Sequence, residues 1–307
     1  MKKFITFVIA VLLISSCSSL GRKDSSQEKG FVPLLTFIFD DGNDTDYSIA
    51  KEVFKQHNAT AGFAITTGWL NTKNHLSISQ LQELQNDCFE IMSHTVSHPD
   101  LKSLDDKQIE SELSASKAAL EGLGIKVKNI VYPYNKNNSH VKDIVSKYYR
   151  SARGGRSMLN PAELDRYELK SYSFSHNTKK MKALIDIAFI ERKWLIIYHH
   201  NIDIKVRVSP GNSGSFLPGE ELLFSPSGAR GRYSKELFSW LYYVPVSGTP
   251  HTGDTIAGQA SGATSYLIEI LYNEIEELGE LIDYAHSSYP DMKIVTIDQG
   301  LDIYNIK

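Results

Sequence analysis

Val32-Pro-Leu-Leu-Thr-Phe-Ile-Phe39, running straight into Asp40-Asp41-Gly42, is the stretch that decides the fold. Its near-continuous apolar character is that of a strand covered on both faces, as in a parallel sheet. Asp-Asp-Gly then turns the chain and leaves two carboxylates at the strand's end. Further on, a second apolar run, Phe89-Glu-Ile-Met92, delivers Ser93-His94-Thr95-Val96-Ser97-His98 in the same manner. Two imidazoles and one carboxylate make a three-ligand site with a position left for water, the arrangement of a catalytic zinc centre. The other aspartate is then free to act as a base. His94 and His98 stand at i, i+4 and share a face if the segment is helical. No glutamate stands between them, so this is not the His-Glu-x-x-His of zinc proteases.

Outward from these two segments, strand-like runs alternate with helix-like ones. Strands are expected over 34–39, 61–66, 89–92, 130–132, 150–152 and 194–199. Helices are expected over 47–57, 79–86 (with Ser77 or Ser79 as cap) and 105–123, the last ended by Gly124. Such alternation argues for a parallel sheet or barrel. Active sites in these folds gather at the C-terminal ends of strands. Asp40, His94, Tyr134 and His200 all fall there.

The rhythm breaks after Ile204. Residues 206–265 are rich in Gly, Ser and Pro and lack a helical pattern, apart from an ambiguous piece at 234–241. Gly219-Glu-Glu-Leu-Leu-Phe-Ser-Pro-Ser-Gly-Ala229 aligns with Gly253-Asp-Thr-Ile-Ala-Gly-Gln-Ala-Ser-Gly-Ala263. Ser-Gly-Ala suits a tight turn between strands. Two related β units forming a small inserted module are therefore expected, since structureless loops of such length are uncommon in compact domains. The βα pattern resumes with a helix expected over 267–285 and a strand over 293–297.

The two motifs together resemble those of the polysaccharide deacetylases (carbohydrate esterase family 4, the NodB-homology domain). The resemblance covers 31–205 and 266–307 and implies a distorted (β/α) barrel; the insert lies outside it. It further implies hydrolysis of N- or O-acetyl groups of an acetylated polysaccharide. Asp41, His94 and His98 would hold Zn2+, or another divalent ion such as Co2+, with Asp40 as base. Adjacent aspartates on an extended segment point opposite ways, so only one need ligate. The family's Arg-x-Pro-Tyr motif reads Val131-Tyr132-Pro133-Tyr134 here. Tyr134 keeps the position whose backbone N–H helps form the oxyanion hole, while the arginine is missing. Arg153, in Tyr149-Arg-Ser-Ala-Arg153, is the candidate replacement. The family's last motif aligns with His199-His200-Asn201 and favours His200 as general acid, with His199 the alternative. Since neighbouring strand positions face opposite sides, only one of the two enters the site.

Lys2 and Lys3 precede an apolar stretch, Phe4 to Ile14, too short to span a bilayer and suited to a signal-peptide core. Ile14-Ser15-Ser16-Cys17 resembles a bacterial lipobox. It implies a signal over 1–16, a lipidated Cys17 in a membrane of the cell envelope, facing the periplasm or the exterior, and a polar tether over 17–30. Cys88, the other of two cysteines, then has no disulfide partner and is expected as a small core residue. A formal net charge of -3 leaves no footprint for nucleic acid. The insert is expected to bind glycan or protein. A reading of a different class is a carbohydrate-binding or adhesion lipoprotein that kept the fold without the catalysis; metal content separates the two.

Overall fold

The computed structural model describes residues 31–209 and 213–306. The signal, Cys17 and the tether expected over 1–30 lie outside the described residues. Strands β1 (Leu34–Phe39), β2 (Gly62–Ile65), β3 (Glu90–Ser93), β4 (Asn129–Val131), β5 (Ser151–Arg153), β6 (Tyr172–Ser173) and β7 (Trp194–His199) form a parallel sheet in the order β5-β4-β3-β2-β1-β7-β6. Helices α1 (Lys51–Gln56), α2 (Ile78–Asn86), α3 (Asp106–Gly122), α4 (Ser139–Val145) and α5 (Thr178–Ile190) connect them. Every residue of β1 is buried. Phe37 and Phe39 meet Phe54 of α1 edge-on, with centroids 5.3 and 5.8 Å apart. Leu34 and Ile38 point the other way, into a cluster with Trp194, Ile196 and Leu301. Two covered faces account for the unbroken apolar run. Each ring withdrawn from water in this way contributes about 1.5–3 kcal/mol.

The rhythm does break after β7. Strands β8 (Ile204–Val208), β9 (Glu221–Ser225), β10 (Arg230–Leu237), β11 (Trp240–Ser247), β12 (Thr255–Gly258) and β13 (Thr264–Asn273) close an antiparallel barrel in the order β10-β11-β8-β13-β12-β9. The molecule is thus the expected distorted (β/α) barrel with a small β module. The sequence repeat has a structural counterpart. β9 and β12 pair antiparallel, with Phe224 opposite Ile256 and Leu222 opposite Gly258. Glu220 accepts hydrogen bonds from the Ala260 and Ser261 N–H groups and the Ser261 hydroxyl. Asp254 accepts from the Ser227 N–H and hydroxyl. Each half's acidic residue therefore clasps the Ser-Gly-Ala turn of the other half. Gly228 and Gly262 sit in those turns at φ 75° and 70°, where a Cβ would be strained.

Several expectations are corrected. Residues 267–273 are not helical: β13 runs to Asn273, and the helix, α6 (Glu274–Ser288), begins after it. Register shifts between Leu267 and Glu269 and between Ile270 and Tyr272 break the two-residue alternation of β13. The bulges leave Leu267, Ile270 and Leu271 at a spacing that imitates a helix. The piece at 234–241 is the β10–β11 hairpin, turning at Phe238 with φ 58°. The strands of the module consequently run past 206 and 265 at both ends. The expected strand over 293–297 is only β14 (Lys293–Ile294), beside β1. Thr296 and Gln299 form a capping box that starts α7 (Ile297–Ile303) instead. Cys88 is exposed, not core. It ends α2 at φ 67°, while the Phe89 N–H reaches back to the Leu84 carbonyl. That left-handed turn points its side chain to solvent.

Candidate active site

Asp40 prolongs β1 by one hydrogen bond, its N–H to the His199 carbonyl at 2.9 Å. Asp41 then adopts φ 81° and Gly42 φ 74°, so the extended geometry ends between the two aspartates. His94 follows β3. Its Nδ1 donates to the Val131 carbonyl at 2.8 Å, which leaves the Nε2 lone pair for a ligand. Burial lowers the His94 pKa to about 4 against the pull of Asp40, so the ring is neutral near pH 7. The segment beyond it is a loop, not the helix that i, i+4 spacing allows. Thr95 and His98 take φ 68° and 59°. The His98 N–H donates to Thr95 Oγ1 at 3.0 Å. Glu112 of α3 clasps the loop, accepting from the Val96 and Ser97 N–H groups at 2.8 and 3.0 Å and from the Ser97 hydroxyl at 2.7 Å.

These turns bring Asp41 Oδ1 to 3.6 Å from both His94 Nε2 and His98 Nε2. The oxygen is buried and has no hydrogen-bond partner. A carboxylate oxygen facing two imidazole nitrogens is repelled unless a cation or proton lies between them. Tetrahedral zinc with bonds of 2.0–2.1 Å sets its ligands about 3.3 Å apart. A small contraction of this triangle therefore accommodates such an ion, and the donor set suits it. Burial raises the Asp41 pKa; His200 and His98 oppose that rise and the Asp40 charge adds to it.

Arg153, 1% exposed at the end of β5, donates Nη2 to both Asp40 oxygens and Nη1 to Asn135 Oδ1. Its guanidinium lies 4.7 Å from the centre of the Tyr198 ring. Burial pushes the Asp40 carboxyl up, but Arg153, His94 and His200 more than offset it, leaving the pKa below the ordinary value. Val131, where the family's arginine would stand, is the cross-strand partner of Arg153 in the β4–β5 register. The neighbouring strand thus supplies the guanidinium that β4 lacks.

Tyr134 takes φ 58° just after β4, and its ring stands edge-on to His98 with centroids 4.6 Å apart. His199 stacks on Phe174 at 4.6 Å and approaches Glu274 Oε2 at 3.3 Å, on the helix side of the sheet. His200 follows β7, exposed, and its charge is felt by both Asp40 and Asp41. Sequence reasoning missed Glu112, Asn135, Tyr198 and Trp69, whose ring lies 5.5 Å from that of His98. Each meets its partner at long sequence separation: Asn135 and Tyr198 contact Arg153, Glu112 holds Val96 and Ser97, and Trp69 lies beside His98. It also missed Asp46, which is fully buried with both carboxyl oxygens unpartnered. Burial and the nearby Asp41 and Asp40 charges push its pKa well above the ordinary value.

Residues 29–150 match the family model for polysaccharide deacetylase. The matched part holds Asp40, Asp41, His94, His98 and Tyr134; Arg153 and His200 lie beyond it. The matched residues of the parallel half are thus similar to a polysaccharide deacetylase domain. The chain is 28% identical over 135 residues to a gellan lyase of a Bacillus species, a match covering 43% of this chain and 5% of that protein. It is 28% identical over 114 residues to the "Putative polysaccharide deacetylase YxkH" of Bacillus subtilis (strain 168), covering 37% and 41%. The chain thus spans well under half the length of these curated relatives. Among solved structures, a T48 deacetylase with substrate superposes with a TM-score of 0.50 at 14% identity, covering 88% of this chain and 92% of that one. At that identity the likeness is one of fold.

Proposed function

We propose that this chain is a metal-dependent deacetylase that hydrolyses N- or O-acetyl groups of a polysaccharide. One observation carries the reading. An Asp40 carboxylate held ionised by Arg153 stands beside an unpartnered Asp41 oxygen aimed at two imidazole nitrogens. Asp41, His94 and His98 are the residues that would hold Zn2+, with Co2+ a workable substitute. A divalent ion there supplies Lewis acidity toward the acetyl carbonyl and lowers the pKa of water. Asp40 takes a proton from the attacking water while Arg153 fixes its orientation. The water oxygen bonds to the acetyl carbon, and the Tyr134 N–H donates to the oxyanion that develops. His200 gives its proton to the leaving nitrogen or oxygen as the bond to the acetyl carbon breaks. Acetate and a free amine or hydroxyl result.

The motif Ile14-Ser15-Ser16-Cys17 supports the further reading that a lipidated Cys17 anchors the protein in the cell envelope. Mass spectrometry of a Cys17→Ala variant tests it: normal cleavage would remove the anchor. The function itself is tested by acetate release from acetylated chitin-like, peptidoglycan and xylan oligosaccharides, with and without a chelator. Chelator-sensitive release is expected. No release from any acetylated glycan by zinc-loaded protein would overturn the proposal.

A further inference from the structure

Between the module and the loops around the candidate active site lies a cavity of about 320 Å³, within the range of small-ligand sites, roughly 300–1,000 Å³. Asn201, the residue after His200, lines one side, and Lys73 and Asn74 line another. The loop carrying Lys73 lies against the aspartate turn: Asn43 bridges to His75, and the Asp44 N–H donates to the Asn74 carbonyl at 3.0 Å. From the module come Arg232 and Lys235 of β10. Arg232 is fixed by a bidentate pair with Asp44, at 2.5 and 2.9 Å. Since Asp44 belongs to the same turn as Asp40 and Asp41, this pair ties the module to the site.

The two lysines are differently placed. Both are exposed, and no carboxylate lies within ion-pair distance of either among the described residues. Lys235 rests over the Tyr242 ring, 4.7 Å from its centre. Lys73 Nζ lies against Gly219, where a Cβ would approach it to 3.0 Å. Among the described residues, the one acid lining the cavity is Asp203. It accepts from the Tyr272 hydroxyl at 3.1 Å. Two ammonium groups without a carboxylate partner, and a guanidinium whose charge Asp44 balances, therefore line one polar cavity that shares Asn201 with the segment after His200.

The geometry points to a subsite for an anionic sugar, in which Lys73 and Lys235 receive the carboxylate or sulfate of a residue adjoining the acetylated unit. It rests on the reading of the chain as a polysaccharide deacetylase and narrows that reading to acidic polymers. The module serves as one wall of the substrate groove, and its β10 strand reads charge. Carboxylate and sulfate present the same chemistry to ammonium donors, so the probes must separate them.

The test is calorimetric binding to the full-length protein at low salt, in parallel with acetate release. The probes are an acetylated uronate oligosaccharide, an O-sulfated acetylated one and a neutral acetylated xylo-oligosaccharide. Two exposed charge contacts are worth about tenfold in affinity. Wild type is expected to favour one of the acidic probes over the neutral one by that factor, and the tighter of the two names the anion. The preference should vanish in a Lys73→Gln/Lys235→Gln double variant and shrink at about 0.5 M salt, where screening is short-ranged. Equal affinity for acidic and neutral probes, or a preference that survives the double substitution, overturns the subsite. If the neutral probe is then deacetylated, the proposed function stands without it. Lysine-dependent binding of an acidic probe with no acetate released from any probe supports the subsite and overturns the deacetylase reading.

Discussion

Both barrels of this chain bury carboxylates, and Glu220 and Asp254 of the module contrast with Asp41 and Asp46 of the half-barrel. In the antiparallel module, Glu220 and Asp254 are 7% and 1% exposed, and both accept several hydrogen bonds from turns. Burial raises both pKa values, but the N–H and hydroxyl donors more than reverse the rise. In the half-barrel, Asp41 Oδ1 and both Asp46 oxygens are buried with no donor at all, and both groups are raised. A satisfied buried carboxylate holds turns in place; an unsatisfied one is held ready for something that is not protein. Topology decides which kind forms where. Parallel strands bring the loops after β1, β3, β4 and β7 to one end, so their polar groups converge on each other. Antiparallel turns alternate between ends, and each acid finds a neighbouring turn.

The contrast breaks most sharply at the ligands. His94→Ala or His98→Ala is expected to remove metal and activity together, as measured by elemental analysis and acetate release, because two protein ligands leave an incomplete site. Asp40→Asn is expected to keep the metal and lose turnover by about 10²–10⁴-fold, the worth of a positioned base. Metal loss in Asp40→Asn, with retention in Asp41→Asn, would exchange the two roles. His200→Ala should cost a similar factor at full metal content, whereas His199→Ala should disturb the packing against Phe174 and the contact with Glu274 while sparing turnover; the reverse result would move the acid to His199.

On the module side, Asp254→Ala strands the Ser227 donors and is expected to destabilise by about 1–3 kcal/mol in chemical denaturation, with turnover on a short acetylated substrate unchanged. A matching loss of catalysis would erase the division between the two barrels.

An effect far from both sites concerns pH. Burial raises Glu90, at the opposite end of the sheet, from 4.5 to about 7, against hydrogen bonds from Asn129 and the Asp298 N–H. Below pH 4.5 the folded and unfolded forms both carry the proton, and the contribution is fully present. As pH rises toward 7 the unfolded form ionises first, so that stability is lost. Thermal unfolding of wild type against Glu90→Gln should show wild type losing ground across that window. Parallel curves would mean that Glu90 ionises normally in the fold.

What was legible in the sequence was what has a local cause. β1 shows itself because both its faces are covered, and α3 because Asp105 and Gln108 cap it. The proposed ligand set shows itself because Asp41 and His94 follow apolar strands and His98 recurs four residues after His94. The clasp of Glu112 on the histidine loop, the choice of Asn135 as partner for Arg153 and the reciprocal turn caps depend on distant segments meeting, and no local pattern encodes them. Arg153 lies between these cases. Sequence supplies the candidate, and the β4–β5 register brings it opposite Val131. β13 misleads because its bulges erase the alternation by which strands are recognised.

Ile204 and Asn273 are partners across β8 and β13, and the Asp203 N–H donates to Glu274 at the base of the pair. The chain therefore enters and leaves the module through two paired strands rather than as a long open loop. The entropy of closing that excursion falls on the module's own ladder, and β7 and α6 are joined as if by a short turn. Asp203–Glu274 is in effect a socket. Modules of other shapes, seated there, would leave undisturbed the register that sets His199 opposite Phe39.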